Sequence, residues 1–275
     1  KALTNVSFEV EKNSLLSIIG PNGAGKTTLL NVISGRYKPT SGELFFEGLN
    51  LTDMHPKKRA SLGIGRTFQN LALFNHMAVL ENIFIGRHHL LKNNFLKGSF
   101  YWLFGGKEEE VKNRLEAEKI LDFLEISDIR KSIAGTLSYG LRKRVELARA
   151  IAINPKLILL DEPMAGMNQE EKEDMARFII DLNREWNITI IMIEHDMGVV
   201  MDISKNIIVL DFGKKIAQGL PYEIMKNKRV QQAYFTQSYV DGRDEAQKMI
   251  DAGAVKSVSE GQRQWALKTI NTYTT

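Results

Sequence analysis

A glycine-rich segment near the start of the chain has the residue types of a loop that binds phosphate. Its members are Gly20, Pro21, Asn22, Gly23, Ala24, Gly25, Lys26, Thr27 and Thr28. Glycines allow successive backbone N–H groups to surround an anion, because no Cβ stands in the way. The Lys26 ammonium can reach the β- and γ-phosphates of a nucleotide, and the Thr27 hydroxyl is the expected Mg²⁺ ligand. The segment therefore predicts binding of a nucleoside triphosphate with Mg²⁺.

Two adjacent acidic residues, Asp161 and Glu162, follow an apolar run at 157–160 and precede Pro163. Open α/β sheets bind their ligands at the carboxyl ends of the strands, so Asp161 is predicted to hold Mg²⁺ through water. Glu162 is the natural candidate to polarise an attacking water molecule. The pair adds a hydrolytic function to the predicted nucleotide site.

The elements around the glycine-rich segment fit this prediction. A run at 15–19 that is apolar except for Ser17 precedes it, and apolar residues at Leu29, Leu30 and Ile33 follow at helical spacing. The run indicates a buried strand, and the spacing indicates a helix with one buried face. A phosphate-binding loop requires this order of strand, loop and helix.

Strand and helix patterns alternate along the rest of the chain. Apolar residues alternate with polar ones at 6–10, which predicts a half-exposed strand, and residues 71–150 are mostly helical in pattern. Further strands are predicted at 43–47, 157–160, 188–193 and 207–210, and helices at 170–186 and after Pro221. This alternation predicts a mainly parallel sheet interrupted by a helical insertion at about 71–150.

The composition excludes several classes of protein. Of the 275 residues, 43% are hydrophobic and 25% are charged, which is typical of a folded globular chain. A net charge of +4 is too small to indicate a nucleic-acid partner, and the absence of cysteine excludes disulfides, zinc ribbons and thiolate nucleophiles. No apolar run approaches the ~18 residues that a membrane-spanning helix needs. The chain begins at Lys1 within a strand pattern, so we expect further residues upstream of it.

Residues 1–235 resemble the ATP-binding cassette (ABC) subunits. Gln69 matches the glutamine loop of that family, Ser138 and Gly140 in the sequence Leu-Ser-Tyr-Gly match its signature sequence, and His195 matches its switch histidine. The resemblance implies an α/β P-loop NTPase (RecA-like) core, with an N-terminal antiparallel β portion and an inserted helical signature subdomain. We predict an ABC ATPase domain over 1–235, and a tail of unassigned role over 236–275.

The resemblance also implies a role for each matching residue. Gln69 would contact Mg²⁺ and the attacking water, and His195 would stabilise charge near the γ-phosphate. Ser138 and Gly140 would bind the γ-phosphate of ATP held by a second subunit. Two chains would thus close head to tail around two ATP molecules.

The chain departs from the family pattern at three places. Leu141 ends the signature where a glutamine is usual, and Asn168 stands where the loop after the glutamate usually has an aspartate. No role that needs those family side chains is therefore carried over to this chain. The aromatic residue that stacks on adenine is expected upstream of the first strand, so no adenine-stacking residue is assigned.

Three segments, at 63–69, 138–147 and 163–168, are most similar to the ATPases of bacterial importers of branched-chain amino acids. Such importers, and related ones for urea or short amides, imply four partners: a second cassette, two transmembrane permease subunits and an extracytoplasmic solute-binding protein. The implied location is peripheral, at the cytoplasmic face of the inner (plasma) membrane. No nucleic-acid partner is implied.

Two other functions are compatible with an ABC core. One is an exporter ATPase of the lipopolysaccharide-transport type. The residues at 86–106 argue against it, because an extended stretch at this place is typical of the branched-chain amino acid importer ATPases. The other is a soluble ABC ATPase acting on nucleic acid or ribosomes, against which the single phosphate loop and the absence of sustained heptads argue.

An aromatic cluster at 100–104, Phe-Tyr-Trp-Leu-Phe, lies inside the extended stretch. One hypothesis is that this cluster, together with 71–79, faces a membrane subunit or the bilayer surface. The alternative is that the cluster packs inside the helical insertion.

Overall fold

The computed structural model describes residues 2–67, 73–87 and 106–234. The predictions made for Gln69, for the aromatic cluster at 100–104 and for the tail at 236–275 lie outside these residues. Within them, the strands are β1 (Leu15–Ile19), β2 (Phe45–Phe46), β3 (Leu49–Asn50), β4 (Ile64–Arg66), β5 (Leu157–Asp161), β6 (Thr189–Ile193), β7 (Asn206–Asp211) and β8 (Lys214–Gly219). The helices are α1 (Lys26–Ile33), α2 (Pro56–Ser61), α3 (Val79–Arg87), α4 (Gly106–Phe123), α5 (Tyr139–Ile151), α6 (Gln169–Arg184), α7 (Met197–Ile203) and α8 (Pro221–Lys226).

Six of these strands form one sheet in the order β4-β5-β6-β1-β7-β8. All neighbouring pairs are parallel except β7 and β8, which are antiparallel. The predicted parallel α/β core is thereby confirmed. β1 lies between β6 and β7, so the strand that leads into the glycine-rich segment is central in the sheet.

Helices cover both faces of this sheet. Ile158, Leu160 and Ile190 pack on one face with apolar residues of α4, α5 and α6, whereas Leu159 and Ile191 pack on the other face with α1. The strands β1, β5 and β6 are buried along their whole length, as expected for parallel strands covered on two sides. This packing fixes the ends of the three strands relative to one another.

Two strand predictions for the early part of the chain need correction. Residues 6–10 form no strand: Val6, Phe8 and Val10 are half-buried against the core, but their backbone joins no sheet in the described part of the chain. The alternation of apolar and polar residues therefore indicates alternating burial of side chains and not pairing with another strand. The predicted strand at 43–47 shortens to β2, because Glu47 (φ 48°) and Gly48 (φ 79°) form the turn of a two-stranded antiparallel hairpin.

The described part of the predicted insertion at 71–150 contains α3, α4 and α5, as well as two short 3₁₀ turns, Ser127–Ile129 and Ala134–Thr136. Across the three described ranges, no helix has both the length and the apolar character that a bilayer span requires.

Candidate active site

The ends of three adjacent strands bring the predicted site residues to one edge of the sheet. β5 ends at Asp161, β6 ends two residues before His195, and β1 leads directly into Gly20. These strands are parallel and hydrogen-bonded in the order β5-β6-β1, so their carboxyl ends meet at the same edge. The sheet thus brings together the phosphate loop, the acidic pair and the histidine.

The backbone of the phosphate loop requires glycine at two positions in particular. At Gly20, an added Cβ would lie 2.0 Å from the carbonyl oxygen of Leu210, so no side chain fits. Gly23 has φ 77°, a left-handed conformation that side chains disfavour, and an added Cβ there would have no heavy atom within 4 Å. Open space in front of a glycine backbone is what an anion needs in order to approach its N–H groups.

Lys26 is buried at the start of α1, with its ammonium directed into the loop. Its Nζ donates to the carbonyl oxygens of Gly20 (2.7 Å) and Pro21 (3.0 Å). Burial lowers the pKa of Lys26, and the nearby carboxylates of Glu162 and Asp161 partly offset that effect. The loop thus holds a positive charge in the position predicted for phosphate binding.

Asp161 is almost completely buried at the end of β5 and is paired with Arg66. The Oδ2 atom of Asp161 lies 3.3 Å from an Nη atom of Arg66, whose other Nη donates to Asn31 of α1 and to Ser34, the C-cap of that helix. Burial raises the pKa of Asp161, and the Arg66 charge acts in the opposite direction. Sequence reasoning did not assign Arg66 a role, although it lies three residues before Gln69 in the segment 63–69.

The second carboxylate oxygen of Asp161 fits the predicted metal. This Oδ1 atom is buried and accepts no hydrogen bond within the described part of the chain. A buried oxygen of this kind is costly unless a donor satisfies it, and a water molecule bound to Mg²⁺ is such a donor. The free acceptor capacity of Oδ1 fits a water-mediated contact with Mg²⁺, and the assignment of Asp161 to the metal stays a prediction.

Glu162 and His195 are in direct contact. The Oε1 atom of Glu162 lies 2.9 Å from Nε2 of His195, although the two residues come from different strand ends. Glu162 has φ 52°, which is uncommon for a residue with a side chain, and its N–H donates to the carbonyl oxygen of Ile193 (2.9 Å). The chain therefore turns sharply after Asp161, and this turn accompanies the contact of Glu162 with the histidine.

Ser138 and Gly140 lie at the start of α5, where Ser138 is the N-cap and accepts a hydrogen bond from the N–H of Leu141 (3.4 Å). Gly140 packs against Glu171 of α6 so closely that an added Cβ would lie 2.1 Å from Oε1 of Glu171. Within the described residues, neither Ser138 nor Gly140 forms a hydrogen bond with the phosphate loop of the same chain. In a single chain, Gly140 thus packs against α6, and the described hydrogen bonds of Ser138 remain within the start of α5.

Asn168, one of the departures from the family pattern, has a local structural role. Its Oδ1 accepts from the N–H of Glu171 (2.9 Å), and its own N–H donates to Oε2 of Glu171 (3.1 Å). This reciprocal pair is a capping box that begins α6. An uncharged residue at position 168 is therefore sufficient to start the helix that follows the loop after Glu162.

Comparison with known proteins agrees with the site geometry. Residues 3–165 match the family model for ABC transporters, which covers the phosphate loop, the signature segment and both acidic residues. The chain belongs to the ABC transporter family. Membership makes it an ATPase, which binds and hydrolyses ATP.

Several relatives in this family are similar over most of their length. The chain is 39% identical to the high-affinity branched-chain amino acid transport ATP-binding protein BraF of Pseudomonas aeruginosa over 234 residues, which cover 85% of this chain and 91% of BraF. It is 37% identical to the corresponding protein LivG of Escherichia coli, with the same shares covered.

Solved ABC cassettes share the fold. The ADP conformation of one ABC transporter cassette superposes with a TM-score of 0.73 at 36% identity, covering 85% of this chain and 92% of that one. A bacterial ABC transporter cassette solved as a dimer superposes with a TM-score of 0.68 at 28% identity, covering 80% of this chain and 90% of that one. The α/β P-loop architecture predicted for this ABC ATPase is therefore confirmed.

Proposed function

We propose that this ABC subunit hydrolyses ATP with Glu162 as the base and His195 as its partner. The observation that carries the proposal is the 2.9 Å contact between Glu162 Oε1 and His195 Nε2, next to the buried Asp161. A carboxylate at this position can accept a proton from an attacking water, and the imidazole can orient that carboxylate and stabilise charge at the γ-phosphate.

The same proposal assigns binding roles to the remaining site residues. Residues 20–28 bind the phosphates through backbone N–H groups and the ammonium of Lys26. Thr27, Asp161 and Gln69 would hold Mg²⁺, which would supply positive charge beside the phosphates. Ser138 and Gly140 complete the site of a second cassette; in support, neither forms a hydrogen bond with the phosphate loop of its own chain among the described residues.

The transported solute is proposed to be a branched-chain amino acid or a related small polar solute such as urea or an amide. The support is the branched-chain amino acid transport function of BraF and LivG, to which the chain is 39% and 37% identical. The proposed complex contains a second cassette, two transmembrane permease subunits and an extracytoplasmic solute-binding protein. In this complex the subunit lies peripherally at the cytoplasmic face of the inner membrane, and it has no nucleic-acid partner.

Replacing Glu162 by Gln tests the hydrolytic role. The amide keeps the shape of the side chain but cannot act as a base, so we expect phosphate release to fall by at least ~100-fold while ATP binding is retained. His195→Ala should also reduce turnover more than binding. Turnover at the wild-type rate in Glu162→Gln would remove Glu162 from the role of base.

The solute is tested in vesicles that contain the assembled complex. Uptake of labelled leucine that requires both ATP and the binding protein would support the proposal. Competition by an excess of valine, but not of urea, would identify branched-chain amino acids. Competition by urea or a short amide alone would assign the related solutes instead, and ATP-driven movement in the opposite direction would overturn the importer assignment.

A further inference from the structure

Glu194, the residue before the switch histidine, has a buried carboxylate that binds two backbone N–H groups. Its Oε1 atom accepts from the N–H of Met164 (2.8 Å), and its Oε2 atom accepts from the N–H of His195 (3.0 Å). Only 4% of the residue is exposed. A charged carboxylate forms shorter and stronger hydrogen bonds than a neutral acceptor, particularly away from solvent.

These two hydrogen bonds complete a closed ring of contacts. Met164 is two residues after Glu162 in the chain, and the side chain of Glu162 contacts His195 at 2.9 Å. The ring therefore runs from Glu162 along the backbone to Met164, across Glu194 to His195, and back to Glu162. Glu194 is the member of this ring that joins the segment after β5 to the segment after β6.

A second carboxylate, that of Asp196, connects the chain just after the histidine to two helices. Asp196 caps α7 by accepting from the N–H of Val199 (3.4 Å), and its Oδ2 atom lies 2.7 Å from Nζ of Lys172 on α6. Lys172 lowers the pKa of Asp196 through this contact. The Asp196 pair is partly exposed, whereas Glu194 is buried, so solvent screens the Asp196 contact and leaves the Glu194 contacts unscreened.

We infer that Glu194 is a positioning residue that holds the side chains of Glu162 and His195 in the relative position that hydrolysis requires. This inference rests on the roles proposed above for Glu162 and His195. Glu194 does not touch the nucleotide in this proposal. It acts by fixing the backbone of the loop after Glu162 relative to the histidine, and both of its oxygens are needed because each accepts from a different N–H group.

Glu194→Gln is the most specific test of this role, because it keeps the size of the side chain and replaces one acceptor oxygen by a donor group. One of the two backbone N–H groups then lacks an acceptor. In steady-state assays of the purified chain, we expect kcat to fall about tenfold with KM for ATP changed less than twofold.

Asn183→Ala is the matched control for loss of stability. The buried side chain of Asn183 donates to the carbonyl oxygen of Ile188 (2.9 Å), just before β6 begins, so it lies at the opposite end of that strand from His195. This variant should lower the melting temperature and leave kcat within twofold of the wild type. If Glu194→Gln retained wild-type kcat, or lost kcat only as much as Asn183→Ala, the inference would be overturned.

A double-mutant cycle separates positioning from a general structural role. If Glu194 acts through His195, the variant Glu194→Gln/His195→Ala should have a kcat within about twofold of His195→Ala alone. Independent, multiplicative losses would contradict the inference. Wild-type turnover in His195→Ala and Glu162→Gln would overturn the proposed catalytic roles themselves, whereas impaired turnover in those two variants with normal turnover in Glu194→Gln would overturn the Glu194 inference alone.

Discussion

The guanidinium of Arg66 lies 3.3 Å from the Oδ2 atom of Asp161, and their side chains are only 8% and 1% exposed. Arg66 also donates to Asn31 and Ser34, so one side chain joins the carboxyl end of β5 to the helix that follows the phosphate loop. Because this ion pair is buried, each charge depends on the other for compensation.

Replacing Arg66 by Met should therefore destabilise the fold. The carboxylate of Asp161 would remain buried without its counter-ion, and breaking a buried pair in this way typically costs ~3 kcal/mol or more. Urea unfolding would measure the loss. Arg66→Lys keeps the charge but not the planar group that contacts three partners, so its loss should be smaller. A free energy of unfolding for Arg66→Met within ~0.5 kcal/mol of wild type would show that the pair is not stabilising.

Asn168 is expected to contribute to stability through the capping box of α6. Asn168→Ala removes the acceptor for the N–H of Glu171 and should lower the free energy of unfolding by ~1 kcal/mol. Asn168→Asp keeps that acceptor and adds a negative charge at a helix N-terminus, so it should be at least as stable as wild type. Chemical denaturation of the three proteins would measure both effects. An alanine variant as stable as wild type would contradict the capping role.

Arg59 is almost fully buried in α2, and its guanidinium donates to backbone carbonyl oxygens, among them those of Val32 (2.7 Å) and Leu51 (2.6 Å). Arg59→Met would leave these carbonyls without donors and should cost ~3 kcal/mol of unfolding free energy. The exposed neighbour Lys58 provides the control, because Lys58→Met should change stability by less than ~0.5 kcal/mol. Equal stabilities of the two variants would contradict the prediction.

The stability of the chain should fall at alkaline pH through Tyr234. Burial raises the pKa of this phenol to about 12 in the folded chain, whereas a tyrosine in the unfolded chain titrates near its ordinary value of about 10. Between these values the unfolded state binds fewer protons than the folded state, so the free energy of unfolding decreases as pH rises, by up to ~3 kcal/mol.

Unfolding measured from pH 9 to 12 should therefore show a shallower decline in Tyr234→Phe than in wild type. The variant lacks the proton whose release favours the unfolded chain. Tyr37→Phe, which removes an exposed phenol, is the matched control. Identical slopes in wild type and Tyr234→Phe would show that the phenol is not held protonated by the fold.

The sequence predicted the central strands well, because β1, β5 and β6 are buried on both faces and therefore consist mostly of consecutive apolar residues. It did not predict β4, which has only three residues, one of them a glycine, nor β8, whose pattern is largely polar. The strand predicted at 6–10 was wrong because alternating burial does not require a strand partner.

The site was predictable only where a local motif carries the chemistry. The glycine-rich segment and the acidic pair could be assigned from spacing alone. The contacts of Arg66 with Asp161 and of Glu194 with Met164 join residues far apart in the chain, 95 positions in the first case and 30 in the second. No local pattern specifies such pairs, because they depend on the order of the strands in the folded sheet.

The central place of β1 has a consequence for the order of events during synthesis. Leu15 pairs with Ile190, and Leu16 pairs with Asn206, so both neighbours of β1 are made long after it. Until the ribosome has added those strands, β1 has two open edges and the glycine-rich segment has no fixed support. The nascent chain can therefore complete the support of its nucleotide site only after residue 211 is made, and a chain truncated before residue 190 would carry the whole phosphate-binding motif without either neighbour of β1.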